Sequence, residues 1–337
     1  MMAFVITNRR YTGSKAKIVN WIMDLIDGNC KNMSSFCDMF AGTGVIASMA
    51  VNKYSKVIIN DFLYSNNIIY KAFFSQDEYS VGKIADFALR QENILLSQIN
   101  PNYMSINFGG KFFSMNDALR IGNIRENLEQ EKDKLNNKEF AILLASLLYS
   151  ADKVANTVGH FDAYIKDKEI KNAFRFELIE PMKVSSKIEI YHDDANKLCR
   201  NIQADIVYID PPYNSRQYSR FYHILENITK WDKPKLYGIA LKPSPENMSE
   251  YCRTAASQVF DDLIINLNCK YAIVSYNNTY NSKSKSSKNK IELDFIVETL
   301  KKRGLVKQFE KQHTFFNVGK TAFIDHKEYI FILEVKD

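Results

Sequence analysis

Apolar positions recur at helical spacing after Ser14, through Ile18, Val19, Ile22, Met23, Leu25 and Ile26, with Gly28 placed to stop the helix. A short strand through Ser35, Phe36 and Cys37 runs into Asp38. The segment Phe40-Ala41-Gly42-Thr43-Gly44 reads as a tight turn, and residues 45–52 as the helix it opens. Lys56-Val57-Ile58-Ile59-Asn60-Asp61 is then an apolar run of strand length closed by a carboxylate. Strand, glycine turn, helix and strand compose a βαβ unit.

The stretch 75–182 carries helical patterns instead, over 81–96, 118–134 and 139–151, interrupted by Asn, Gly and Pro. Strand signals return at Ile188-Glu189-Ile190-Tyr191 and at Ile206-Val207-Tyr208-Ile209, the second running into Asp210-Pro211-Pro212-Tyr213. After a polar, proline-bearing loop, the pattern predicts a helix over 250–267, a strand over 271–276 and a helix over 291–303. Strands over 306–316 and 328–335 are close enough in sequence to pair antiparallel. The expectation is an α/β fold: a mixed, mostly parallel sheet covered by helices on both faces, built from 1–74 and 183–337, with 75–182 as an inserted, mainly helical module.

Composition narrows the setting more than the chemistry. A hydrophobic fraction of 46% with 25% charged residues excludes a disordered or low-complexity chain. The formal charge of +6, with a cluster at Lys283, Lys285, Lys288 and Lys290, is compatible with a polyanionic partner without demanding one. The run 277–290 reads equally as a phosphate-contacting loop and as a solvated one. Five scattered cysteines form no CxxC pair and the histidines show no metal spacing, so reduced thiols and no metal are expected. The apolar stretch 140–148 is too short to span a bilayer and no signal-peptide pattern opens the chain, which points to a cytoplasmic protein.

Three places carry candidate chemistry. The turn Asp38-Met39-Phe40-Ala41-Gly42-Thr43-Gly44 follows a strand, where open α/β sheets place their ligands. It is shorter than a dinucleotide fingerprint and lacks the ending of a phosphate loop. Asp61 either accepts the two hydroxyl hydrogens of a ribose or caps the following helix. Of Asp193 and Asp194, one suits a helix cap. The decisive element is Asp210-Pro211-Pro212-Tyr213. Its prolines leave carbonyls outside the ladder. A carboxylate and a carbonyl aimed at an exocyclic amine would draw the nitrogen lone pair out of a purine ring, and Tyr213 would stack on the base. A base in a duplex reaches such a pocket only by flipping out.

These residues resemble adenine-specific DNA amino-methyltransferases of the alpha, Dam-type class, in which the cofactor motif precedes the recognition domain and the catalytic tetrapeptide follows it. Tyr11-Thr12-Gly13-Ser14-Lys15 resembles the amino-terminal cofactor motif, Asp38 through Gly44 the methionine-binding turn, Asn60-Asp61 the ribose-binding strand end, and Asp194-Ala195 the segment contacting the cofactor adenine. Asn214-Ser215-Arg216-Gln217-Tyr218 and Tyr222-His223-Ile224-Leu225-Glu226 resemble an NlaIII-like subgroup of restriction-modification systems. The resemblance implies a Rossmann-like methyltransferase fold and S-adenosylmethionine as cofactor. Asp38, Phe40, Gly42 and Gly44 would hold its methionine end, Asp61 its ribose and Asp194 its adenine, with Tyr11 and Lys15 lining the pocket. Asp210, Pro211, Pro212 and Tyr213 would be catalytic, and 75–182 would be the target-recognition domain, with Asn156-Thr157-Val158-Gly159 and Lys166 facing DNA.

The implied partner is double-stranded DNA, with a cognate restriction endonuclease acting on the same site but not as a stable subunit. Two alternatives stay open. One is a cytosine amino-methyltransferase, whose tetrapeptide usually begins with Ser. The other is an idle DNA-binding subunit that kept the fold.

Overall fold

The computed structural model describes residues 4–278, 290–312 and 327–336. In chain order its helices and strands begin with α1 (Val19–Asn29), β1 (Ser35–Asp38), α2 (Val45–Ala50), β2 (Lys56–Asn60) and α3 (Tyr64–Phe74). A helical run follows: α4 (Val81–Asn93), α5 (Tyr103–Phe108), α6 (Met115–Gln130) and α7 (Asn137–Val154). Then come β3 (Lys187–Tyr191), α8 (Ala195–Leu198), β4 (Ile206–Ile209), α9 (Tyr218–Phe221) and α10 (His223–Lys230). The chain closes with α11 (Ala256–Asn266), β5 (Tyr271–Asn277), α12 (Leu293–Lys301), β6 (Gly304–Gln312) and β7 (Lys327–Val335). No described helix is long and apolar enough to cross a membrane.

Two compact units divide these elements. One comprises 14–62, 185–218 and 247–337. It holds a seven-stranded sheet in the order β3-β2-β1-β4-β5-β7-β6. The first five strands are parallel, β7 runs antiparallel to β5, and β6 antiparallel to β7. The mixed, mostly parallel α/β sheet expected from the chain is therefore present. Side chains alternate between its faces. Cys37, Val207, Ile209, Val274 and Leu333 share one core with Leu198, Phe260, Leu263 and Leu300 from α8, α11 and α12. Their strand neighbours Phe36, Ile206, Ile273 and Ile332 are equally buried and turn the other way.

The second unit comprises 1–13, 63–184 and 219–246. It is wider than the segment 75–182, because α3 and α10 cluster with the helices of that segment. The buried Arg125 of α6 donates from Nε to the Ile228 carbonyl at 2.7 Å, satisfying the last turn of α10. At the other end of α10, Glu226 accepts the Tyr64 and Ser65 N–H groups at 3.0 and 2.8 Å. Glu226 thus serves as a capping carboxylate for the start of α3.

Several local expectations are corrected. The helix α1 passes through Gly28 and ends at Cys30, whose N–H donates to the Ile26 carbonyl at 2.8 Å. A glycine in the last turn costs little and does not stop a helix by itself. The run 250–267 is split, with a single 3-10 turn at Glu250–Cys252 ahead of α11. The polar loop after the tetrapeptide contains α9 and α10, and α5 adds a short helix capped by Asn102. The strand expected over 306–316 is described as Gly304–Gln312, its remainder lying outside the described residues. Lys283, Lys285 and Lys288 also lie outside them.

Gly304 opens β6 with no room for a side chain. A Cβ there would collide with the Glu334 carbonyl oxygen and lie 3.0 Å from both the Glu334 carbonyl carbon and the Lys336 nitrogen. Gly304→Ala should lower unfolding free energy by about 2 kcal/mol, as overpacking does. A reduced denaturant midpoint would show it, and an unchanged midpoint would mean that the hairpin end relaxes freely.

Candidate active site

The strand order places the reversal of the winding between β1 and β4. From β1 the chain adds β2 and β3 on one side, and from β4 it adds β5 on the other. Crevices at such reversals, beyond the carboxyl ends of the strands, are where open α/β sheets bind ligands. Asp38 is the last residue of β1, and Asp210 follows the last residue of β4. Ile209 pairs with Val274, so Ser275 of β5 comes alongside Asp210.

The glycine turn is built for close approach. Gly42 and Gly44 have φ of 52° and 77°, values that L side chains rarely adopt. Gly44 opens α2, and Asp38 accepts the Ala47 N–H from its first turn at 3.1 Å through Oδ2. The other carboxylate oxygen, Oδ1, is buried with no hydrogen-bond partner among the described residues. Burial, and then the Asp210 and Asp61 carboxylates, push the Asp38 pKa well above its usual value. Asp61 accepts the Gly42 N–H at 2.8 Å, tying the end of β2 to the turn. Asn60 donates to the Met39 and Asp193 carbonyls, each at 3.1 Å, and accepts the Asp193 N–H. This one amide joins the ends of β1, β2 and β3.

Asp194 caps α8, accepting the Asn196 and Lys197 N–H groups at 3.0 and 3.2 Å. One of the two adjacent aspartates thus has the capping role read from the sequence. Phe40 is half-buried and meets Tyr251 edge-on, with ring centroids 5.2 Å apart.

A second group surrounds the tetrapeptide. The buried Lys15 ammonium lies 3.1 Å from Asp210 Oδ1 and 2.9 Å from Glu328 Oε1. It also sits 4.8 Å from the centroid of the Tyr213 ring and contacts the Tyr213 hydroxyl. That hydroxyl donates to Asp210 and approaches Glu328 at 3.4 Å. Ser275 donates to Glu328 at 2.6 Å, and Tyr276 packs edge-on against Tyr213 at 4.8 Å. Burial alone would lower the Lys15 pKa, but Asp210 and Glu328 outweigh it and raise it. Burial raises the Tyr213 pKa well above its usual value, with Asp210 and Glu328 adding to it. Asp210 moves from 3.8 to about 6, chiefly by burial, with Lys15 opposing and Glu328 reinforcing the rise.

The sequence-predicted residues therefore fall into three places. Asp38, Gly42, Gly44 and Asp61 meet at the ends of β1 and β2. Lys15 sits with Asp210 and Tyr213 instead. Tyr11 belongs to the helical unit, where it stacks on Tyr222 with centroids 4.6 Å apart. Asn156 and Thr157 are buried in that unit, and the Asn156 amide donates to the Lys111 and Ile165 carbonyls at 2.9 Å each. They do not face outward as expected, whereas Lys166 is exposed. Sequence reasoning missed Glu328 and Ser275. The signal for Glu328 was a carboxylate beginning the apolar run Tyr329-Ile330-Phe331-Ile332-Leu333.

A family model described as D12 class N6 adenine-specific DNA methyltransferase matches residues 11–291. The chain belongs to this family. It is 30% identical over 347 aligned positions to the type II methyltransferase M.NlaIII of Neisseria lactamica, covering 96% of this chain and 98% of that protein. The modification methylase LlaI of Lactococcus lactis subsp. lactis is 30% identical over 289 positions, and the type II methyltransferase M.FokI of Planomicrobium okeanokoites 32% over 289. Those matches cover 80% and 79% of this chain but 46% and 44% of the relatives, so the chain spans less than half the length of either. In this methyltransferase the family match includes Lys15, the glycine turn and the tetrapeptide, and it ends before β6 and β7.

The raised Asp210 pKa carries a stability sign. A carboxyl whose folded pKa exceeds its unfolded value contributes stability below the unfolded value, and that contribution is lost as pH rises through the folded one. For Asp210 the window runs from 3.8 to about 6. Asp210→Asn should melt with the wild type near about pH 4 and above it at about pH 7.5. Coincident melting at both values would contradict the assigned burial of the charge.

Proposed function

We propose that this chain transfers the methyl group of S-adenosylmethionine to the exocyclic 6-amino group of an adenine flipped out of duplex DNA, as the modification enzyme of a type II restriction-modification system. The observation that carries the reading is the pairing of a buried, half-unsatisfied Asp38 at the end of β1 with Asp210 at the end of the neighbouring β4.

The residues present suit the cofactor. The unpartnered Asp38 Oδ1 suits the cofactor's ammonium, the positive-φ glycines leave space for its chain, and Asp61 suits its ribose. Asp194 and the half-buried Phe40 complete that side. When bound, the cofactor supplies an electrophilic methyl on a sulfonium. Asp210 and the Pro211 carbonyl accept the two amine hydrogens, which frees the nitrogen lone pair and offsets positive charge as it develops. Pro212 keeps the backbone of this segment fixed. Tyr213 is the aromatic ring offered to the extruded base. Its hydroxyl donates to Asp210, which holds the ring beside the carboxylate that would take the amine.

The helical unit, centred on 75–182, serves as the target-recognition part. Lys166 and Lys168 are exposed there. The partner is double-stranded DNA, and a cognate endonuclease would act on the same site as a separate protein.

Incubation with labelled S-adenosylmethionine and unmethylated DNA, followed by nucleoside analysis, tests the reading. Methylated adenine is expected. Methylated cytosine would move the base assignment, and no transfer with no cofactor binding would leave a DNA-binding subunit. Asp210→Ala should abolish transfer while cofactor affinity, measured by calorimetry, stays close to wild type. Because only ionised Asp210 accepts both ways, the single-turnover rate should fall as pH drops through about 6. A flat rate across that range would remove Asp210 from the reaction.

A further inference from the structure

We propose that Glu328 is a positioning residue for methyl transfer: with Ser275 it forms a second seat for the Lys15 ammonium, so the ammonium can leave Asp210 when the target amine takes its place. This rests on the function proposed above.

The reversed direction of β7 makes the seat possible. Parallel strands present their last residues at the ligand end of the sheet, but β7 presents its first. Glu328 pairs with Asn277, the last residue of β5, and Ser275 pairs with Ile330. Glu328 and Ser275 are thus diagonal neighbours on one face, within reach for a long side chain. Glu328 is only 3% exposed at the head of an apolar strand. A carboxylate in that position is costly unless paired and hydrogen-bonded, and among the described residues it meets Lys15 at 2.9 Å, Ser275 at 2.6 Å and, more distantly, the Tyr213 hydroxyl at 3.4 Å. Glu328 also lies beyond the residues of the family match, 11–291.

Competition for Asp210 supplies the need. Its Oδ1 is occupied by the Lys15 ammonium at 3.1 Å and by the Tyr213 hydroxyl. An amine hydrogen accepted at that oxygen competes with both of these donors. A lysine with a single buried carboxylate partner would resist withdrawal, since leaving would strand two charges. Lys15 already touches a second carboxylate, so a small shift keeps its charge paired throughout. No bond is made or broken and no proton moves in this step; one ion pair replaces a shared one. The groups facing Asp210 are Lys15, Tyr213, Glu328 from β7, Asp38 from β1 and Tyr208 from β4.

Two readouts test it on the full chain. Carbon-13 NMR of labelled aspartate, with Asp210 assigned by its loss in Asp210→Asn, follows the titration directly. Glu328→Gln should shift the Asp210 midpoint to lower pH, because a negative neighbour is gone and the ammonium stays on Asp210. An unmoved midpoint overturns the sharing of the ammonium. Single-turnover methylation should slow by about tenfold in Glu328→Gln, with cofactor affinity within about threefold. In a Lys15→Met background the same substitution should cause no further loss, since Glu328 acts through Lys15. An equal loss in both backgrounds means a purely structural role and overturns the proposal. Should Glu328→Gln fail to fold, Ser275→Ala removes only the orienting hydroxyl and should move titration and rate the same way by a smaller factor. A wild-type chain inert on DNA defeats the proposed function, while the titration still decides whether the ammonium is shared.

Discussion

Two carboxylates drawn out of water beside one ammonium group form the constraint on which the carboxyl end of this sheet is organised. Removing an ion from solvent costs several kcal/mol even after relaxation, and a partner repays this only with good geometry and further hydrogen bonds. Lys15 meets that requirement for Asp210 and Glu328 together, Ser275 supplies a hydrogen bond to Glu328, and Tyr213 supplies one to Asp210. One positive charge cannot fully compensate two negative ones. Burial first, and then the second carboxylate, raise Asp210 to about 6 against the pull of Lys15, still low enough for the carboxylate to be mostly ionised at neutral pH. A strongly accepting carboxylate is obtained at some expense of stability, the trade common at reactive sites.

The fold supplies this cluster from four separate stretches of chain, and direction of travel decides what each can contribute. The parallel strands β1, β2 and β4 deliver Asp38, Asp61 and Asp210 at or just after their ends, where backbone groups leave the ladder. The antiparallel β7 delivers Glu328 at its beginning. A wholly parallel sheet would bring the start of its last strand to the opposite edge, far from Asp210. The reversed strand therefore has a consequence for the site as well as for closing the sheet. Asn60 performs the matching task on the other flank, where a single amide holds three strand ends in register.

Most of the sheet was legible in the sequence because its strands are buried on both faces and read as short apolar runs: Phe36-Cys37, Val57-Ile58-Ile59, Ile206 to Ile209, and Tyr329 to Leu333. The glycine turn and the tetrapeptide were legible for a different reason, since few structural needs call for those residues at strand ends. The helix α10 was not, because His223, Glu226, Asn227 and Thr229 make it look like polar loop. Their burial depends on partners distant in sequence: Glu226 turns to the start of α3, and the end of α10 is closed by Arg125. The extent of the helical unit was missed on the same ground, as no local pattern tells that 63–74 and 219–246 cluster with it. Glu328 was hidden by position, because a charge at the head of a strand ordinarily marks where the strand meets water.

Aspartate occurs at the ends of β1, β2, β3 and β4, and three of these residues behave in three ways, the differences lying in partners rather than residue type. Asp194 spends one oxygen on two backbone N–H groups and acts as a helix cap. Asp38 is buried with one oxygen satisfied by α2 and the other by nothing among the described residues, a state that favours protonation unless a donor or cation arrives. Asp210 has a different condition, its Oδ1 being held by both a lysine and a tyrosine. A carboxylate with an unsatisfied oxygen selects what binds beside it, whereas one whose oxygen already holds two donors must exchange a partner to accept another there. Burial is common to Asp38 and Asp210 and raises the pKa of each. It is the nearby ammonium, shared with a second carboxylate, that sets Asp210 apart from Asp38.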